Sequence, residues 1–221
     1  MQTVRWHEVV DVADVAVRRV LHAAERALAE RGEFHLVLAG GNTPRDLYRR
    51  LAAIGPDMTG WQVWFGDERC LPVHDPERNS RMALDAWPAL TELPAGRLHV
   101  MPVELGASRA AAEYAAQLAA VGAFDLVLLG LGEDGHTASL FPGHAWECED
   151  GLSVLAVTDA PKPPDERVSL TASRLSNARQ VLFLVSGAGK RDAVAAWRAG
   201  RPLPAAAIQP LNGVDVLLNL S

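Results

Sequence analysis

The chain has 221 residues, of which 49% are hydrophobic and 22% charged, and its formal net charge is −6. This composition is ordinary for a folded protein with a core and excludes a disordered chain. A net negative charge argues against a nucleic-acid partner, although local cations can still hold a small anion. Because nothing inside the chain resembles a linker, we expect a single domain over residues 1–221.

No apolar run approaches the roughly 18 residues that a membrane-spanning helix needs, and the first residues lack the apolar core of a signal peptide. We therefore expect a cytoplasmic protein without a membrane partner, either a monomer or a small homo-oligomer. The two cysteines, Cys70 and Cys148, lack the spacing of a metal site, and an intracellular pair is expected to stay as free thiols.

Taken in chain order, the apolar pattern alternates between helix and strand. Residues Val9 to Arg31 carry an apolar stripe of helical period that Gly32 closes, which predicts a long amphipathic helix. Short apolar runs typical of buried strands are Phe34–Ala39, Trp61–Phe65, Phe124–Leu129, Val154–Val157, Gln180–Val185 and Val214–Leu218. Helical patterns lie between them at Pro44–Ile54, Ser108–Val121 and Lys190–Trp197. The alternation predicts an α/β fold with a mostly parallel, Rossmann-like sheet and helices on both faces.

Ligands of open α/β sheets bind beyond the carboxyl ends of the strands, where backbone N–H groups of loops and helix starts are unpaired. Four such strand exits carry glycine or charge, and they are Ala39–Pro44, Gly66–Arg69, Gly130–His136 and Ser186–Lys190. Any one of them can be an ordinary turn. Together they predict a ligand site at one edge of the sheet.

The first and last exits suit a phosphate group. Gly40 and Gly41 permit close approach of a ligand to the backbone, and Asn42 or Thr43 can cap the helix that follows. The unpaired N–H groups and the dipole of such a helix start attract an oxyanion. Lys190 adds a mobile cation at the last exit, although the sequence there is not a P-loop.

The second exit carries the charged triplet Asp67-Glu68-Arg69, which is expected to end a strand and to face either solvent or a ligand. Arg69 can recognise a phosphate or a carboxylate through two parallel hydrogen bonds, and Asp67 can orient it or a sugar hydroxyl. Arg167, which follows a proline-rich loop, is a second candidate cation.

The third exit is open to two interpretations. Gly130, Gly132 and Gly135 spell the dinucleotide fingerprint G-x-G-x-x-G, which should open a helix of ten or more residues. Pro142 and Gly143 follow too soon for such a helix, and this disfavours a nucleotide cofactor. The alternative is chemistry by His136, beside Asp134 and Gly135, because imidazole can take a proton from water and return it to a leaving oxygen.

With these residues assembled, the sequence resembles the 6-phosphogluconolactonase family, within a larger sugar-phosphate group that includes glucosamine-6-phosphate deaminases. The resemblance covers nearly the whole chain and rests on six blocks, LAGGNTPRDLY, WFGDERCLP, NSRMA, LGLGEDGHTASLFPG, ERVSLT and VSGAGK. It implies hydrolysis of 6-phospho-glucono-1,5-lactone to 6-phosphogluconate in the pentose phosphate pathway, with no metal and no organic cofactor.

The resemblance also implies roles for matching positions. His136 is expected to transfer protons, with Asp67 and Arg69 in the catalytic cleft. Arg167 and Lys190 are expected to contact phosphate or substrate oxygens. The residues expected to line the phosphate or sugar site are Gly40, Gly41, Asn42, Thr43, Gly132, Asp134 and Gly135. The chain departs from the family where position 42 is Asn rather than Ser and where Arg78-Asn79-Ser80 replaces the usual Ser-Asn pair.

Two other functions are compatible with the same fold. A deaminase is disfavoured because the resemblance after the histidine, Thr137-Ala138-Ser139-Leu140-Phe141-Pro142, is to lactonases. A non-catalytic sugar-phosphate sensor attached to a regulator needs a DNA-binding segment, and the N-terminal residues show one helix and no basic helix-turn-helix.

Overall fold

The computed structural model describes residues 3–144, 146 and 151–221, and its centre is a seven-stranded sheet in which all paired strands run parallel. Its strands in chain order are β1 (Val4–Glu8), β2 (Phe34–Leu38), β3 (Trp61–Phe65), β5 (Leu98–His99), β6 (Phe124–Gly130), β9 (Ala178–Ser186) and β10 (Val214–Asn219). The predicted α/β class and mostly parallel sheet are confirmed. The edge strand β1 and the short β5 were not predicted.

The order of the strands locates the site. From one edge to the other the sheet runs β1-β10-β9-β6-β2-β3-β5. The chain moves from β2 to β3 and β5 in one direction, then returns to β6 and moves through β9 and β10 in the other. In an open parallel sheet this reversal leaves a crevice at the carboxyl ends of the two strands that flank it. Here those strands are β2 and β6.

A second, antiparallel sheet of three strands lies beside the first and joins β4 (Asp67–Arg69), β8 (Arg167–Leu170) and β7 (Val154–Val157). This corrects two predictions. Val154–Val157 is a strand, but it belongs to this small sheet and not to the parallel one. Asp67, Glu68 and Arg69 do not end strand β3, because Gly66 interrupts the chain and the triplet pairs with β8 as a strand of its own.

The helices are α1 (Val12–Arg31), α2 (Asn42–Ile54), α3 (Asn79–Ala86), α4 (Ala107–Leu118), α5 (Ala172–Ser176) and α6 (Arg191–Arg198). Helix α1 begins where the Asp11 side chain accepts a hydrogen bond from the Asp14 N–H and ends at Gly32 in the left-handed conformation. Helices α1 and α2 pack against each other, and α6 follows β9 after the direction of winding has reversed. Since parallel crossovers are right-handed, the reversal puts α2 and α6 on opposite faces of the sheet.

Two buried tyrosines fix the strand ends next to the crevice. The Tyr48 hydroxyl accepts a hydrogen bond from the Ala39 N–H at 2.9 Å and donates one to the Ala39 carbonyl at 2.8 Å. Tyr114 binds both backbone groups of Phe65 in the same way. Burial raises the pKa of both phenols, so they act as neutral donors and acceptors. Each tyrosine satisfies backbone groups that the diverging strands leave unpaired.

Within the described part of the chain, no helix is both long enough and apolar enough to cross a bilayer. Cys70 is a free thiol whose pKa burial raises to about 11, with Glu166 and Glu68 adding to the effect. Such a thiol is a poor nucleophile at neutral pH. The prediction of a free thiol at Cys148 lies outside the described residues.

Candidate active site

A cleft of about 240 Å³ opens at the carboxyl ends of β2 and β6. All four predicted strand exits contribute to its wall, with Gly41 from the first, Asp67 from the second, His136 from the third and Lys190 from the fourth. The structure therefore brings together segments that are far apart in the sequence, at the point where the winding of the sheet reverses.

The candidate base, His136, is held by Asp134. The ring nitrogen Nδ1 lies 2.5 Å from the Asp134 carboxylate, and the same oxygen accepts the His136 backbone N–H at 3.1 Å. Burial acts to raise the pKa of Asp134, but the hydrogen bonds and charge of His136 outweigh it and hold that pKa below its ordinary value. An ionised Asp134 favours a proton on Nδ1, which leaves Nε2 free to accept one.

A glycine is required beneath this pair. A β-carbon at Gly132 would lie 2.0 Å from His136 Nδ1 and 2.6 Å from Asp134 Oδ1. The imidazole also contacts the Phe141 ring, with 4.9 Å between ring centroids. The side chain is left 23% exposed. Gly132 and Phe141 thus confine the ring while leaving one edge accessible.

Asp67 is oriented by two buried side chains. Its Oδ1 accepts a hydrogen bond from Asn79 Nδ2 at 2.9 Å, and its Oδ2 accepts one from Ser139 Oγ at 2.7 Å. Asn79 also lies against the first exit, where a β-carbon on Gly40 would come within 2.0 Å of its side-chain oxygen. Asn79 lines the cleft and was not among the predicted site residues, although the resemblance had marked its block as a departure.

Glu68, next in sequence, has a different role. It is fully buried, and its carboxylate accepts the backbone N–H groups of Asn79 at 2.6 Å and of Ser80 at 2.8 Å. These are the first residues of α3, so Glu68 supplies the negative charge that a helix start favours. The charged triplet does not face solvent as a unit, because its middle residue caps a helix.

Four cationic side chains face the cleft against two carboxylates, Asp67 and Glu133, and they are Arg69, Lys162, Arg167 and Lys190. Arg167 is 6% exposed and donates to the carbonyls of Lys162 and Pro164 at 3.0 Å each. Burial lowers the pKa of Arg167, and the Asp67 carboxylate opposes this change. An arginine remains charged under these conditions. The cleft is therefore suited to an anion. Lys162 was not predicted from the sequence as a site residue, because one lysine in a proline-rich loop carries no local signal.

Four predicted residues, Asn42, Thr43, Asp134 and Gly135, lie outside the cleft wall, and Asp134 acts there only through its contact with His136. Asn42 and Thr43 are the first residues of α2 and line a neighbouring surface hollow, where the Asn42 side-chain oxygen accepts from Arg45 at 2.8 Å. Gly135 has a φ of +88° and packs against the Leu203 side chain. Gly41, with a φ of +105°, directly precedes α2 and does line the cleft.

The segment after the G-x-G-x-x-G pattern forms turns and one isolated bridge between Thr137 and Leu140, with no helix between Leu131 and His144. The geometry thus agrees with the sequence argument against a dinucleotide site. Among the described residues, His, Cys, Asp and Glu form no group of three or more that is placed to hold a metal ion.

Comparison with known proteins gives a consistent result. A family described as glucosamine-6-phosphate isomerases/6-phosphogluconolactonase matches residues 8–217. The chain is 38% identical over 207 residues to the 6-phosphogluconolactonase of Synechocystis sp., covering 88% of this chain and 85% of that protein. It is 36% identical over 206 residues to the GDH/6PGL endoplasmic bifunctional protein of Oryctolagus cuniculus, of which it spans only 26% while 86% of this chain is covered.

The fold agrees with a solved structure as well. The crystal structure of 6-phosphogluconolactonase from Thermotoga maritima superposes with a TM-score of 0.89, at 27% identity, over 97% of this chain and 99% of that one.

Proposed function

The chain belongs to the glucosamine-6-phosphate isomerase/6-phosphogluconolactonase family, and we propose that it hydrolyses 6-phospho-glucono-1,5-lactone to 6-phosphogluconate, the oxidative pentose phosphate step. The observation that carries the proposal is the His136–Asp134 pair at the mouth of a cleft with an excess of positive charge. The substrate class follows the names of the relatives, and the cations match its phosphate.

His136 acts first as a general base. With Nδ1 committed to Asp134, Nε2 takes a proton from the water whose oxygen attacks the lactone carbonyl carbon. The resulting imidazolium then protonates the ring oxygen as the C–O bond breaks, so one residue serves both steps. The product acid loses its proton to solvent at neutral pH. Positioned proton transfer of this kind contributes typically about 10²–10⁴-fold.

The cations divide between the phosphate and the developing oxyanion. Lys190 and the backbone N–H of Gly41, which both line the cleft, bind the phosphate, so that its binding energy positions the ring. Arg69 and Arg167, on neighbouring strands of the small sheet, stabilise the carbonyl oxygen as charge accumulates there. Asp67, fixed by Asn79 and Ser139, orients the arginines or a substrate hydroxyl.

We also propose that residues 1–221 act as one domain. One continuous cluster of buried side chains, from Val12 to Leu218, supports this.

The test compares two substrates. Hydrolysis of freshly prepared lactone is measured as proton release, corrected for spontaneous opening, beside ammonia release from glucosamine 6-phosphate. We expect turnover of the lactone alone. Turnover of only the amino sugar would show a deaminase, and binding without turnover of either would show a sensor.

A pair of histidine variants tests the mechanism separately. His136→Ala should lower kcat by about 10²–10⁴-fold while product binding persists. His74→Ala is the matched control, since His74 is exposed and does not line the cleft, and it should leave kcat unchanged. Near-normal turnover by His136→Ala would exclude His136 as the base.

A further inference from the structure

A second polar groove lies at the other end of the sheet, where the strands begin. Its lining shares no residue with the cleft, and its volume of about 460 Å³ is in the range of small-molecule sites. We call it the arginine groove after the five arginines that line it, Arg5, Arg19, Arg26, Arg31 and Arg179.

Side chains from one face of strand β1 and one face of helix α1 form part of the wall of this groove. On β1, Trp6 packs against Trp197 of α6, whereas Arg5, pointing to the opposite face, lines the groove. On α1, Arg19, Ala23 and Arg26 are spaced four and three residues apart and share one face. Ala23 is buried between the two arginines, and its small side chain leaves a hollow there.

Two carboxylates lie beneath the guanidinium groups and are already engaged. Asp215 is 15% exposed and accepts two hydrogen bonds from Arg5, at 2.8 and 3.0 Å, besides contacting His7 at 2.6 Å. Asp125 is 6% exposed and accepts from Arg31 and from the His35 backbone N–H, each at 2.8 Å. These contacts fix Arg5 and Arg31 in place.

The other three arginines are not similarly engaged. The closest carboxylate oxygens lie 3.8 Å from Arg19, 3.6 Å from Arg26 and 3.4 Å from Arg179, farther than the 2.8 Å contacts that Arg5 and Arg31 make. The side chains of these three arginines are 41–58% exposed, so pairs of this length hold them only weakly. With Glu30 as the third acid, five arginines face three carboxylates in a chain whose formal net charge is −6.

We propose that the arginine groove binds a small anion that carries more than one phosphoryl group. A guanidinium presents paired N–H donors that match the oxygens of a phosphate, and several of them around one concave site can hold adjacent phosphoryl groups at once. The groove is concave and of ligand size, which favours a small molecule over an acidic protein surface. This site is independent of the proposed lactonase activity.

Calorimetric titration with inorganic pyrophosphate, in a buffer free of phosphate and sulfate, tests the proposal. We expect saturable binding that weakens as salt is raised. The double variant Arg19→Gln/Arg26→Gln should raise Kd by about tenfold or more, because it removes two charge-assisted contacts. Arg179→Gln should weaken binding on its own, because Arg179 lies on strand β9 and lines the same groove.

Two controls make the result decisive. Arg109→Gln removes an arginine from an exposed i,i+4 pair with Glu113, as Arg26→Gln does with Glu30, and it should leave Kd unchanged. Lys190→Gln alters the cleft and should also leave Kd unchanged. Any of three results would overturn the proposal. They are no binding at millimolar pyrophosphate, an unaltered Kd in both groove variants, and loss of binding in Lys190→Gln alone. Thermal melting of each variant confirms that it is folded.

Discussion

The imidazole of His136 occupies the space that a β-carbon at Gly132 would take, so that even one methyl group there would come within 2.0 Å of Nδ1. The contact explains in steric terms why a glycine stands four residues before the histidine. The glycine of the apparent dinucleotide fingerprint makes room for a side chain of the protein itself.

Gly132→Ala should therefore lower kcat by about 10²-fold or more, because the new methyl displaces the ring that the proposed mechanism uses as base. The measurement is steady-state lactone hydrolysis. Gly122→Ala is the matched control, since a β-carbon there meets no atom within 4 Å, and it should leave kcat unaltered. Full activity of Gly132→Ala would mean that the position of this ring does not limit turnover.

Ser139 and Asp67 should act as a unit. Ser139→Ala removes the hydrogen bond to Asp67 Oδ2 and leaves a buried acceptor unpaired, so we expect kcat to fall by about tenfold with a smaller change in KM. Asp67→Asn should cost more, and the double variant should lose less than the product of the two single effects. Strictly multiplicative losses would show that Ser139 acts independently of Asp67.

Glu68→Gln should destabilise the fold. A neutral amide offers one acceptor oxygen where the carboxylate binds the N–H groups of Asn79 and Ser80 through separate oxygens. We expect the free energy of unfolding to fall by about 1–3 kcal/mol in urea titration. Glu77→Gln, whose side chain is exposed, is the control and should change stability by less than about 0.5 kcal/mol. Equal stability of the two variants would contradict the capping role.

The stability that Asp215 contributes should depend on pH. Burial acts to raise the pKa of Asp215, but hydrogen bonds from Arg5 and His7 prevail and hold it below the ordinary value of 3.8. A depressed folded-state pKa means that this stability is present above pH about 4 and is lost as the pH falls through the folded value.

Accordingly, Asp215→Asn should lower the free energy of unfolding by about 1–3 kcal/mol at pH 7, and the difference from the native chain should shrink below pH about 4. Chemical denaturation across this range is the measurement. Asp85→Asn, which breaks an exposed i,i+4 pair with Arg81, should show little effect at any pH. A difference that grows toward acid would reverse the sign and contradict the assignment.

The sequence by itself determined the elements whose signal is local. Apolar runs predicted β2, β3, β6, β7, β9 and β10, and the helical period predicted α1, with boundaries shifted by up to three residues. The strands it missed are short or lie at an edge. Val4–Glu8 and Asp67–Arg69 are strands because of partners roughly 100 residues or more away, and a short segment carries no record of such a partner.

Some residues of the candidate site were likewise predicted from local sequence patterns, and others were not. Histidine and charged residues at strand exits are a local pattern that predicted His136, Asp67, Arg69 and Lys190 as candidates, with Arg167 after a proline-rich loop. The fold brings these five to one cleft.

Only the tertiary structure decided which charges belong to the cleft. It buried Glu68 beneath a helix, turned Asn79 toward Asp67, and placed Lys162 at the wall. It also gathered five arginines from α1, β1 and β9 at the far end of the sheet. A side chain's partner and its exposure to water depend on contacts between distant segments, and these form only when the chain folds.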